Sequence, residues 1–139
     1  MKAEVPKLKT LPVKGSCREE QAHFIWIALV SWTTFNPNKT IEYGQLAQML
    51  GYSAQAGRTL SDALGTVSLY CLYNDLPPLS CIVVEKNSGV PGWEGMIPRG
   101  SSVEAEQEKV GETRWGLYQT PAVETFRMVR EYLSFDEFV

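Results

Sequence analysis

An α+β fold, mainly helical and built on a winged helix-turn-helix with a small β-hairpin wing, is predicted by three features of residues 40–95. YGQLAQMLG carries Leu46, Met49 and Leu50 at helical spacing from Tyr43 and ends at Gly51, which suits a left-handed helix terminus. After Gly51-Tyr52-Ser53, the run SAQAGRTLSDALG places Ala56, Leu60, Ala63 and Leu64 on one stripe, with Ser53 as candidate N-cap. Leu79 to Glu85 is then an apolar, β-branched run followed by the turn residues Asn87-Ser88-Gly89, the pattern of a strand entering a hairpin.

The flanking segments read as support for that unit. Residues 1–15 hold Pro6, Pro12, Gly15 and four lysines without an apolar run, which predicts a basic extended arm and no secretory leader. Ser16 with Glu19 forms a capping-box pattern, and residues 16–35 continue as a scaffold helix with Ile25, Leu29 and Trp32 on one stripe. Asn36-Pro37-Asn38 ends it, and Thr40-Ile41 offers a short strand before the central unit. TVSLYCLYND is too apolar for a solvent loop and reads as further helix, stopped by Pro77-Pro78. Residues 96–139 form a helical extension: SSVEAEQEKVGE is a short acidic helix. The last segment starts with Thr120 as cap and Pro121 in the first turn, then repeats Val123, Phe126, Val129, Tyr132 and Leu133 at helical spacing.

The whole is expected to be one domain of 139 residues, large enough to bury a core without a metal or disulfide. Its 44% hydrophobic and 21% charged residues are ordinary for a globular protein, with no run long enough to span a membrane. Cys17, Cys71 and Cys81 are odd in number and lack ligand spacing, so reduced thiols, a cytoplasmic location and no metal or cofactor are expected. Net charge is −3, divided as +3 over residues 1–60 and −6 over residues 61–139. That balance argues against strong non-specific nucleic-acid binding and leaves the acidic C-terminal half as a candidate surface for a protein partner. The lone His23 has no second His or Cys/His pair near it in sequence and is assigned no chemistry.

At YGQLA, AGRTLSDALG, LPPLSCIVV and GVPGWEG, the central stretch resembles the DNA-binding domain of O6-alkylguanine-DNA alkyltransferases and of the non-enzymatic alkyltransferase-like proteins. The resemblance covers about two fifths of the chain and implies a protein that binds double-stranded DNA in the minor groove and flips a damaged or modified base into a pocket. Carried over, Arg58 would replace the extruded nucleotide and Tyr43 would help to rotate the phosphate. Gln55, Thr59 and Lys39 are expected as further DNA contacts. Tyr43, Ser80 and Trp93 would line the base pocket. Independently of the resemblance, Ala54, Ala56, Gly57 and Thr59 around Arg58 are short enough for approach to a groove roughly 6 Å wide.

The chain departs from that family at the reactive position. Where the family has a methyl-accepting cysteine before two valines, this chain has Ser80, with Cys81 one residue along and no histidine after it to activate a thiol. A one-residue offset on a strand turns a side chain to the opposite face, so an enzyme is not expected. Two other functions remain open at this level: a protein-interaction or regulatory module that uses the winged helix as scaffold, and an unrecognised activity using Ser80 or one of Glu42, Asp62 and Glu85. The cognate base, DNA against RNA, oligomeric state and partners are not encoded in any motif.

Overall fold

The computed structural model describes residues 4–8 and 17–139, so most of the expected basic arm, and Ser16 of the expected capping box, lie outside the described residues. Among the described residues the chain is mainly helical: α1 Arg18–Phe35, α2 Tyr43–Met49, α3 Ser61–Tyr73, α4 Val103–Glu112 and α5 Val123–Tyr132. A parallel pair of two-residue strands, β1 Ile41–Glu42 and β2 Val83–Val84, completes the regular structure, with 3-10 turns between elements. No helix among the described residues is long and apolar enough to cross a membrane.

The two most apolar helices set the core. In α1 the buried residues Gln21, Ala22, Ile25, Trp26, Leu29 and Thr33 recur every three or four positions, which puts them on one face. In α3 burial runs almost all round, from Ala63 and Leu64 through Thr66–Leu69 to Cys71 and Leu72, as expected for a helix enclosed by neighbours. It packs against α1, α5 and the Leu79–Ile82 turn. The C-terminal extension docks there through Phe126 and Val129 of α5, both buried. An edge-to-face aromatic cluster holds that corner, with Trp26 to Trp115 at 5.6 Å and Tyr70 to Phe126 at 5.8 Å between ring centres.

The wing differs from expectation. Leu79–Ile82 is a 3-10 turn, only Val83–Val84 is strand, and its partner is the earlier β1, in parallel, with Ile41 opposite Val83. The Asn87-Ser88-Gly89 turn does close, with the Gly89 N–H donating to the Glu85 carbonyl at 2.8 Å and the Glu85 N–H to the Val90 carbonyl at 2.8 Å. No return strand follows it: Pro91 has no N–H for a ladder, and the Gly92 N–H donates to the Tyr43 hydroxyl instead. Since α2 and α3 lie between β1 and β2 in sequence, the pair closes as a parallel crossover instead of a hairpin.

The expected second helix is also rewound at its start. Residues Ala54–Leu60 form a 3-10 segment that runs directly into α3, and Ser53 makes no side-chain cap. At three residues per turn, Ala54, Gly57 and Leu60 stack on one side. Ala54 abuts Gly44, Gly57 abuts the Tyr43 backbone and Leu60 enters the core. The turn before this segment is as predicted, with Gly51 at φ +86° after α2.

Helix ends fall close to the sequence signals with two corrections. The residue preceding α1 is Cys17, whose side chain makes no cap. Helix α5 starts at Val123 and not at Pro121, since the Pro121 carbonyl is held outside the helix by the His23 Nδ1–H at 2.7 Å. His23 is therefore a tie between α1 and the α5 entrance. The acidic helix α4 is capped as its sequence suggests, with the Ala105 N–H donating to the Ser102 hydroxyl at 3.1 Å.

Candidate nucleic-acid interface

A groove of about 710 Å³ opens between α2, the 3-10 segment, the first turns of α3 and the loop after β2. Five of the seven residues singled out in the sequence, Tyr43, Gln55, Arg58, Ser80 and Trp93, line it. Four separate segments bring them together. The Tyr43 hydroxyl, at the start of α2, accepts from the Gly92 N–H at 3.2 Å, which ties the glycine loop across the groove. Arg58 and Gln55 are exposed on the 3-10 segment, and Arg58 has no ion-pair partner among the described residues. Trp93 is 50% exposed, with its ring edge-on to Phe135 at 4.8 Å and packed over Gly95.

Ser80 lies at the floor, 2% exposed, in a chain of hydrogen bonds that fixes its rotamer. Its hydroxyl donates to the Leu64 carbonyl at 2.7 Å, its N–H donates to the Ser68 hydroxyl at 3.1 Å, and Ser68 reaches the Met96 sulfur at 3.5 Å. The Ser80 proton is thus committed, and toward the groove the oxygen can only accept. None of these partners is a base.

The thiols sit elsewhere. Cys71 and Cys81 are fully buried in the core, and neither lines the groove. Burial pushes the Cys71 thiol from 9.0 to about 12, and burial, with Glu106 adding repulsion, pushes Cys81 well up as well. Both raised values keep these groups neutral in the folded state. Their contribution to stability is therefore fully present below the unfolded value of 9.0 and, for Cys71, is lost as pH rises from there towards about 12. Two results are expected: iodoacetamide modifies only the exposed Cys17 in the native protein, and the urea midpoint falls as pH rises above 9. Native-state labelling of Cys81, read by peptide mass spectrometry, would contradict this placement.

Two of the predicted contacts are not in the groove. The Thr59 hydroxyl donates back to the Ala56 carbonyl at 2.6 Å, and the Thr59 carbonyl faces the Arg18 guanidinium at 3.4 Å. Lys39 lines a different cavity, beside Glu104, Glu108 and Glu112 of α4, a negative setting that opposes a phosphate contact. Glu42 and Glu85, two of the three acids named from the sequence, stand in the groove walls, and the structure adds Gln48, Lys86 and Asn87 to them. The groove therefore carries two carboxylates and two cations. The only sequence signal for Lys86 and Asn87 was their position at the turn facing the loop; Gln48 had none. The chain matches no protein-family model, no curated protein and no solved structure.

Proposed function

We propose that this chain is a non-enzymatic DNA-binding protein that receives one unstacked, damaged or modified base in the Tyr43–Trp93 groove. The observation that carries the reading is the convergence of Tyr43, Gln55, Arg58, Ser80 and Trp93, 50 residues apart at the extremes, on one groove of about 710 Å³. In this reading α2 and the 3-10 segment with α3 act as a helix-turn-helix, and the 85–93 loop stands where a winged helix has its wing. Arg58, exposed and without an ionic partner among the described residues, is the wedge that enters the minor groove. Trp93 presents a half-open ring for stacking, and Ser80 accepts from a donor on the base edge. Tyr43 retains its own O–H for a phosphate, because its contact with Gly92 uses only a lone pair. The burial of Cys81 away from the groove supports binding without alkyl transfer.

Phosphate contacts must be few. Among the described residues only Arg58 and Lys86 are cationic in the groove, so log Kd should vary with log salt with a slope of roughly 1–2, far below that of a protein gripping a long duplex. Trp93→Ala should weaken binding by about 1–3 kcal/mol while Trp93→Phe keeps most of it, as stacking on a ring requires. Equal affinities for the two variants would remove Trp93 from the site. A protein-interaction or regulatory module is the second reading, favoured by the −6 charge of residues 61–139 and by the carboxylates around Lys39. A salt-insensitive protein with no affinity for any duplex would select it.

A further inference from the structure

Among the described residues, four charged side chains line the Tyr43–Trp93 groove: Glu42, Arg58, Glu85 and Lys86. The Glu42 carboxylate accepts from the Gln45 N–H and caps α2. Arg58 and Lys86 are exposed, where the phosphates of a strand can reach them. Glu85 is only partly exposed, and among the described residues it forms no ion pair with either of them or with any other cation. The turn fixes its place, since the Glu85 N–H donates to the Val90 carbonyl and its carbonyl accepts from the Gly89 N–H, both at 2.8 Å. Glu85 Oε1 and the Tyr43 hydroxyl each stand 3.1 Å from the point that a Cβ on Gly92 would occupy, so a glycine there leaves room for both. The next residue is Trp93, with its ring half-exposed. A carboxylate without a cation of its own and an open indole thus flank Gly92 in the groove.

We propose that the base this groove selects, on the function proposed above, is cationic: a guanine alkylated at ring nitrogen N7. A partly buried carboxylate loses water when a base covers it, and a neutral base returns hydrogen bonds but no counter-charge. Alkylation at N7 gives guanine a delocalised positive charge and leaves its N1–H and N2–H donors in place. Those two donors match the two oxygens of one carboxylate, and the charge makes the contact charge-assisted. The same charge strengthens stacking on Trp93, tryptophan being the best aromatic face for a cation. The Ser80 oxygen, which can only accept toward the groove, also favours a donor on the base edge. Alkylation at O6 does the reverse, since guanine stays neutral and N1 loses its hydrogen, which turns a lone pair toward the carboxylate.

The test is fluorescence anisotropy of the full chain with duplexes carrying guanine, O6-methylguanine or N7-methylguanine at one position, at mildly acidic pH, where N7-methylguanine keeps its charge. A 2′-fluoro substituent on that nucleotide in all three duplexes preserves the glycosidic bond of the cationic base. N7-methylguanine should bind about tenfold tighter than O6-methylguanine, which in turn exceeds guanine. Glu85→Gln removes the charge at nearly constant shape, so it should lower N7-methylguanine affinity about tenfold and erase the preference over O6-methylguanine. Its thermal midpoint should match the wild type, because backbone hydrogen bonds hold the turn. Free N7-methylguanosine should displace the duplex only at far higher concentration. The proposal is overturned, with the base-binding function intact, if O6-methylguanine binds as tightly as N7-methylguanine while both exceed guanine, or if Glu85→Gln keeps the preference. It is overturned too if the free nucleoside competes as well as the duplex. If neither modified duplex exceeds guanine, the base-binding function falls with it.

Discussion

Gly57→Ala should destabilise the protein by about 2–3 kcal/mol, although it adds only one methyl group. A Cβ on Gly57 would stand 2.8 Å from the Tyr43 carbonyl carbon and 2.9 Å from both its carbonyl oxygen and its Cβ. These are mostly backbone atoms, fixed by the start of α2, so the strain cannot be relieved by a side-chain rotation. Either α2 or the 3-10 segment must move, and Leu60, anchored in the core one turn later, resists that movement. The expected readout is a lower urea midpoint with an unchanged m-value. Because Tyr43 and Arg58 flank the contact, the same variant should also lose groove binding at temperatures where it remains folded. A variant with the wild-type midpoint would mean that the two segments do not meet through Gly57.

Arg58→Ala should have the largest effect on binding and almost none on folding. The side chain is exposed and makes no ion pair among the described residues, so its removal should change stability by no more than about 0.5 kcal/mol. Binding should fall at least tenfold, since the one residue able both to fill a base stack and to meet a phosphate is gone. Arg58→Lys separates the two roles. It restores the charge and the salt slope, but without a planar group it should recover only the smaller part of the affinity. Full recovery by lysine would reduce Arg58 to a phosphate contact and take away its role as wedge.

What the sequence made legible follows the reach of the physical signals. Acidic composition marked α4, and helical periodicity located α1, α2 and α5 to within a few residues, although Met49 and Tyr132 of the expected stripes are exposed. It also marked residues 66–73 as helix, through an apolar density that only an enclosed α3 can satisfy. The strand pairing was not legible. Val83 and Val84 are β-branched whether they pair with a following strand or with Ile41 and Glu42, and the turn at Asn87–Gly89 forms in either case. The 3-10 winding of Ala54–Leu60 depends on the closeness of Gly57 to Tyr43, a tertiary contact that spacing along the chain does not encode.

The candidate site divides in the same way. Tyr43, Gln55, Arg58, Ser80 and Trp93 were chosen from short motifs, and the fold gathers them around one groove. Lys39, expected as a DNA contact, instead lines a cavity shared with Glu104, Glu108 and Glu112 of α4, a distant segment of the chain. Thr59 was chosen as a neighbour of Arg58. Its hydroxyl turns back to the Ala56 carbonyl instead, the local competition that threonine commonly enters.

The central claim, that the groove takes an unstacked base of duplex DNA, is tested most directly by fluorescence anisotropy with matched duplexes. These should carry guanine, an O6-alkylguanine or an abasic site, and be titrated with wild type and Arg58→Ala at low and moderate salt. The account predicts tighter binding to the modified duplex, a shallow salt slope and loss of that preference in Arg58→Ala. Absence of binding to every duplex at low salt, or a preference unchanged by Arg58→Ala, would contradict it.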